Sequence, residues 1–360
     1  MSQLGLGMDY DEPSTRRRRS SGPLAVLVAF LMLAVIGFGA FLGIRSLTGS
    51  GSGDFEGEGS GSVTIVVAKG DSLTAIGRTL ADAEVVASSD AFVGAASADD
   101  RAGSIAPGAY QLRKGMSGAA ALELMLDPES RLVQKVVVPE GLRFEKTIAR
   151  ITKGTDLTED QVKEALSRAG ALGLPEYAEG SVEGFLFPAT YEFQPGVDAD
   201  AVVKAMLTRF RVAAKEVDLV AEAKKIKLTP FEVVVIASLV QGESAPEDYD
   251  KVARVVFNRL EQGMPLQFDS TVNYALGKSD LQLSAEDLKT DSPYNTYVNK
   301  GLPPGPINSP GEAALTAVLN PAKGDWLYFV TTDPDTQTTE FASTYDEFLV
   351  LKRKFQENVG

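Results

Sequence analysis

Hydrophobic and polar positions fall into three regimes along this chain. Residues 24–44 carry no charge, and about 20 apolar residues are enough to cross a hydrocarbon core as a helix, so the pattern predicts a membrane span. Residues 49–62, GSGSGDFEGEGSGS, are almost devoid of apolar side chains and read as the body of a flexible linker over 45–62. From Val63 onward short β-branched runs alternate with segments of helical spacing, which predicts a mixed α+β folded part.

The folded part opens with a recurring plan. Val63 to Leu80, VTIVVAKGDSLTAIGRTL, predicts a strand, a turn at Lys69-Gly70 and a helix capped by Asp71 or Ser72. Tyr110 to Leu126 repeats it with Lys114-Gly115 and Ser117, and a looser copy starts at Val136, VVVPEGLRFEKTIARI. The first copy resembles half of a LysM-type glycan-binding module. A small packing domain whose strand-turn-helix unit merely recurs is the alternative. Residues 63–135 are set apart on this basis as a LysM-like subdomain, and 136–357 as a larger α+β domain.

The most distinctive helix lies in that larger domain. Thr229 as N-cap, Pro230 at N1 and Glu232 three residues after the cap form a capping box that fixes the register of TPFEVVVIASLVQGES. Counting back from Glu243 gives Val240, Leu239, Ile236 and Val235, so this carboxyl ends an apolar stripe. Partial desolvation there would raise its pKa and keep it protonated near neutral pH. A glutamate facing water in the last turn remains the alternative. Past it, Ser244, Pro246 and Glu247 read as a second capping box opening a helix that Gly263 stops, which puts Glu243 at an elbow between helices.

Elsewhere Thr158 and Gln161 predict another capping box, 198–217 an amphipathic helix, and VEGFLFPATYEF over 182–193 a loop or strand against the core. Glu183 in that segment is a candidate second acid, with a capping or surface carboxylate as the alternative. LQFDSTVNY at 266–274 and SPYNTYVNKGLPPGPI at 292–307 mix amide, hydroxyl and aromatic side chains, a set suited to a sugar polymer. The Pro-Pro-Gly-Pro run is read as a stiff cleft wall or a rigid connector.

Charge and composition then narrow the chemistry. The chain has no His and no Cys, which removes Ser-His triads, thiolate nucleophiles and His- or Cys-ligated zinc. The scattered acidic residues do not suggest a metal loop, and no cofactor is expected. A net charge of −14 argues against a nucleic-acid partner. Arg16 to Arg19 precede the apolar run and only Arg45 follows it, so the basic tail 1–23 is expected in the cytoplasm and the rest outside, as a single-pass type II protein. A cleaved signal peptide is the alternative reading of the same run.

Taken together, ASLVQGES at 237–244, Asn258-Arg259-Leu260, Leu266-Gln267 with Asp269 and Thr271, SPYNTY at 292–297, GLPPGPI at 301–307, Asn320-Pro321-Ala322 and Tyr328-Phe329-Val330 resemble the MltG/YceG family of endolytic murein transglycosylases. Val182-Glu183-Gly184, Phe187-Pro188 and Tyr191 fit as well. The resemblance runs in order from about Val63 to Phe348. It implies the fold class α+β, with one N-terminal transmembrane helix, a small LysM-like subdomain and a catalytic domain outside the bacterial plasma membrane. The implied activity is internal cleavage of nascent peptidoglycan between N-acetylmuramic acid and N-acetylglucosamine, leaving 1,6-anhydro ends.

By the same resemblance Glu243 is the catalytic acid, and Gln267, Asp269, Ser270, Thr271, Tyr274, Tyr294, Asn295, Tyr297 and Glu183 are the substrate-binding candidates. Implied partners are peptidoglycan glycan strands, the membrane through one helix, and cell-wall synthases. Two departures stand out. Gln241 replaces a second family glutamate, and Glu340 stands before Phe341 where the family has a His. Two rival functions remain at this stage. One is a hydrolytic muramidase with Asp269 or Glu183 as second carboxylate; the other is a glycan-binding scaffold without catalysis.

Overall fold

The computed structural model describes residues 53–280, 283–333, 336 and 338–359. The basic tail 1–23 and the predicted span 24–44 lie outside the described residues. Among those described, no helix is long and apolar enough to cross a membrane.

The three predicted strand-turn-helix copies all form. Strand β1 (Glu58–Val67) leads through Gly70, at φ +92°, to helix α1 (Leu73–Asp82), whose N-cap Ser72 accepts from the Ala75 amide at 3.2 Å. Helix α2 (Ser89–Ser97), not expected from the sequence, follows with its own serine cap, Ser88. Strand β2 (Gly108–Met116) then turns at Gly115, φ +74°, into α3 (Gly118–Leu126), capped by Ser117. After the short β3 (Arg131–Leu132), strand β4 (Gln134–Val138) and Gly141, φ +72°, lead into α4 (Phe144–Gly154). The first sheet has the order β1-β2-β3, with Ala109 opposite Leu132.

Contacts divide the chain into two compact units. One holds the described residues up to Val63 with 71–104 and 113–124; the other holds 64–70, 105–112 and everything from Met125. In the first, Ile76, Leu80, Val86, Phe92, Met116 and Leu122 are buried. A Cβ on Gly118 would stand 2.3 Å from the Ala91 carbonyl oxygen, so α3 starts where only glycine fits against α2. One expectation is corrected here, because β1 begins at Glu58, inside the stretch expected to be linker. A Cβ at Gly59 would lie 2.5 Å from the Lys114 carbonyl, so glycine there serves close packing of two backbones rather than flexibility.

In the second unit β4 pairs antiparallel with β5 (Ala189–Phe193), Val136 facing Tyr191. Helices α5 (Glu159–Ser167), α6 (Ala169–Leu172), α7 (Ala199–Glu216) and α8 (Leu219–Lys225) follow, the first with the predicted Thr158–Gln161 capping box and the third capped by Asp198. At the centre stands α9 (Pro230–Glu243), started by the Thr229–Glu232 box, with every residue from Val233 to Val240 buried. Phe185 fills the space beside it, its ring 4.8 Å from Phe210 and stacked on Phe231.

Helix α10 (Tyr249–Glu261) lies beyond the elbow. The second predicted capping box is absent. Ser244 is the extended C-cap of α9, its hydroxyl turned back to the Val240 carbonyl, and a 3-10 turn at Pro246–Asp248 comes first. The chain ends with α11 (Asp269–Ala275), α12 (Glu312–Leu319), the hairpin β6 (Tyr328–Asp333) and β7 (Thr338–Ala342), and α13 (Tyr345–Val359).

Candidate active site

Glu243 is the last residue of α9, set on the buried Val240, Leu239, Ile236 and Val235. It keeps a partial opening to solvent. Burial pushes its carboxyl from 4.5 up to about 7; the Ser270 hydroxyl and amide act the other way, as does the Arg259 charge, while the Asp269 charge adds to the rise. The Ser270 amide donates to Oε1 at 3.2 Å. It belongs to the first turn of α11, where an N–H has no partner within the helix. A carboxyl poised near neutrality can both give and take a proton, which is the requirement for one group acting as acid and then base.

Arg259 sets that arrangement in place. Its Nε donates to the Leu327 carbonyl at 2.6 Å and its Nη1 to Pro265 and Leu266, so one buried guanidinium ties the loop before α11 to the start of the β6 hairpin. The Pro-rich wall is fastened from the other side. Ser238, buried in mid-α9, accepts from the Ile307 amide at 3.1 Å through its hydroxyl and from Asn308 Nδ2 at 2.8 Å through its carbonyl. Gly184, φ +87°, lets the chain approach so closely that a Cβ would meet Pro306 at 2.7 Å.

Two cavities open on this floor. One, of about 360 Å³, is polar and includes Arg143, Gly242, Ser270, Asn273 and Asn308; the other, of about 330 Å³, includes Arg259, Gln267, Tyr297, Tyr328, Tyr345 and Phe348. Glu243 and Asp269 line both. A carboxyl shared by two adjoining cavities can act on a bond in the middle of a chain-like ligand.

The predicted binding residues part company here. Asp269 is exposed on the floor and accepts from the Tyr297 hydroxyl at 2.6 Å; Gln267, Ser270 and Tyr297 line one or other cavity. Tyr274 and Tyr294 pack their rings 4.7 Å apart under the Arg143 guanidinium and line neither. Thr271 and Asn295 cannot touch a ligand. Both are wholly buried, Thr271 donating to the Phe268 carbonyl at 2.6 Å and Asn295 Nδ2 to Leu288 at 3.0 Å and Thr290 at 2.8 Å, so they shape the loops instead.

Glu183 is also removed from the groove. It is 6% exposed and accepts from the Phe144 amide at 3.1 and 3.2 Å, capping α4, whose N-cap Arg143 supplies no side-chain acceptor. Burial raises it to about 7. Gln241 is structural: it donates to the Tyr249 hydroxyl and accepts from the Gly311 amide at 3.0 Å. Glu340 is held by the Thr332 hydroxyl at 2.6 Å and paired with Lys354, joining β7 to α13.

Sequence reasoning missed Arg143, Asn273 and Asn308 in the polar cavity and Tyr345 and Phe348 in the other. The last two had a signal. Their spacing of three in an amphipathic segment puts both rings on one helix face.

Fold and floor define a class, an α+β protein with a cleft floored by two carboxyls, one of them raised to about 7 by burial. Comparison with known proteins gives it a family. The profile of the YceG-like family matches residues 65–354. The chain is 34% identical over 284 residues to the endolytic murein transglycosylase of Bacillus subtilis, covering 74% of this chain and 78% of that one. It is 30% identical to the enzyme of the same name from Streptococcus pneumoniae serotype 2, covering 85% of this chain and 61% of the pneumococcal protein's length. The crystal structure of a YceG-like protein from Listeria monocytogenes, 27% identical, superposes with a TM-score of 0.57 over 81% of this chain and 98% of that one. The chain belongs to the YceG-like family.

Proposed function

We propose that this chain is an endolytic murein transglycosylase, a lyase that cuts peptidoglycan strands internally with Glu243 as its acid and base. The observation that carries the reading is the pair of cavities meeting at Glu243, whose carboxyl is poised at about 7. The family and the names of the relatives from Bacillus subtilis and Streptococcus pneumoniae support it.

In the first step protonated Glu243 gives its proton to the glycosidic oxygen between N-acetylmuramic acid and N-acetylglucosamine, and the bond from that oxygen to the muramyl anomeric carbon breaks. The carboxylate so formed takes the proton of the muramyl 6-hydroxyl as its oxygen bonds to the same carbon. The 1,6-anhydro ring closes and Glu243 regains its proton. Asp269, kept in place by Tyr297, faces the positive charge that builds on the sugar ring. Gln267, exposed in the second cavity, holds hydroxyl and acetamido groups beside it.

Residues 24–44 would anchor the chain in the bacterial plasma membrane, with the folded part outside. Residues 63–135 would serve as a LysM-like glycan-binding part, and wall synthases are the partners expected at that surface. Because β1 starts at Glu58, the tether from Arg45 to Gly57 reaches on the order of 45 Å when extended. The substrate is therefore glycan close to the membrane.

Mass spectrometry of the sugar ends after digestion of uncrosslinked glycan tests the proposal. Anhydro ends are expected. Ends carrying one added water would instead favour a hydrolytic muramidase, for which Asp269 on the same floor supplies the second carboxylate, and intact strands would favour the scaffold.

A further inference from the structure

The cavity on the α13 side of Glu243 is built differently from its polar neighbour. Tyr345 and Phe348 lie 5.8 Å apart at 33°, Phe348 stacks on Tyr328 at 5.1 Å and 29°, and the Arg259 guanidinium sits 5.3 Å from the centre of the Tyr328 ring. Tyr345 also meets Tyr328 edge-on at 5.9 Å, so the three rings form one cluster, anchored through Tyr328 by Arg259, which backbone carbonyls of two segments hold. Tyr345 is its exposed member, 57% open to solvent, an unusual position for a ring packed on two others.

Resting on the function proposed above, we infer that this cluster is a stacking subsite for a pyranose of the glycan strand beside the cleaved bond, with Tyr345 as the ring on which the sugar lies. A pyranose presents a face of C–H groups and a rim of hydroxyl and acetamido groups. An aromatic face meets the first, and the cavity places Gln267 and Asp269 where the second would fall. The cavity adjoins the polar one at Glu243 and Asp269, which line both, and this makes a length of the same strand its occupant. A stacked ring reads shape more than hydroxyl pattern, so this side accepts successive sugars of a strand.

The test uses the full chain carrying Glu243→Gln, which binds without cutting, and measures its affinity for purified uncrosslinked glycan strands. Adding Tyr345→Ala is expected to weaken binding roughly fivefold, whereas Tyr345→Phe holds it within about twofold, because the ring and not the hydroxyl makes the contact. In the active enzyme Tyr345→Ala is expected to raise KM by a similar factor with little change in kcat. Equal affinity for the Ala and parent proteins overturns the inference, and so does a Phe variant as weak as Ala. Those results leave the proposed function standing, while a Glu243→Gln parent with no affinity for glycan removes both. Because Tyr345 also packs on Tyr328 and Phe348, circular dichroism at the assay temperature confirms that the Ala variant is folded, and Phe348→Ala, which removes the ring beneath, is expected to weaken binding as well; unchanged affinity there also counts against the inference.

Discussion

Replacing Glu243 by Gln should make the protein inactive and, at neutral or alkaline pH, more stable. The folded state raises this carboxyl from 4.5 to about 7, a gap of about 2.5 in pKa and hence ~3 kcal/mol. Below about pH 4.5 the group is protonated whether the chain is folded or not, so it contributes nothing. Between about 4.5 and 7 the folded state binds more protons than the unfolded one, and stability falls as pH rises. Above about pH 7 to 8 the full ~3 kcal/mol of destabilisation is present. Glutamine cannot ionise and escapes it. The variant should therefore match the parent near pH 4 and exceed it by up to ~3 kcal/mol at pH 8, on the order of 5 °C in midpoint. Glu183, also raised to about 7, adds the same slope to both proteins and cancels in the comparison. Unfolding measured by circular dichroism from pH 4 to 8.5 reads this directly. Parallel curves with a constant offset would refute the burial of Glu243, and a variant retaining a sizeable share of parental cleavage would refute its role.

Activity of the parent should decline as pH rises through about 7, because the acid must be protonated, and Asp269→Asn should move that decline to lower pH by removing a charge that raises Glu243; an unmoved profile contradicts the coupling. Arg259→Met should move it the other way, and by leaving three carbonyls without a donor should also lower stability by about 2–4 kcal/mol in urea titration. Gly184→Ala combines a left-handed backbone with a 2.7 Å clash on Pro306, so a loss of about 3 kcal/mol and displacement of the Pro-rich wall are expected; an unchanged unfolding midpoint would count against the packing described.

What the sequence disclosed was whatever local chemistry decides. The Thr229–Glu232 and Thr158–Gln161 boxes each set a helix start through neighbours three residues apart, and the same register carried Glu243 onto its apolar stripe. The three strand-turn-helix copies were legible for the same reason. Ser244 failed as a cap because its hydroxyl found the Val240 carbonyl behind it, a competition no spacing rule weighs. For Thr271, Asn295 and Glu183 spacing could not separate a ligand contact from a cap or a loop bond, because a polar side chain looks alike whether it faces a ligand or satisfies a distant backbone group. Gly59 in β1 looked like linker because room for a Cβ there is set by a strand some fifty residues away, at Lys114. The cavity of Tyr345 needs segments from Arg259 to Phe348 to converge, which only the fold reveals.

The two bonds at Ser238 and the three from Arg259 brace opposite walls of the groove against the same pair of helices, α9 and α10. An inhibitor shaped to span both walls would therefore find its docking surface already assembled, and would lose little freedom of the protein on binding.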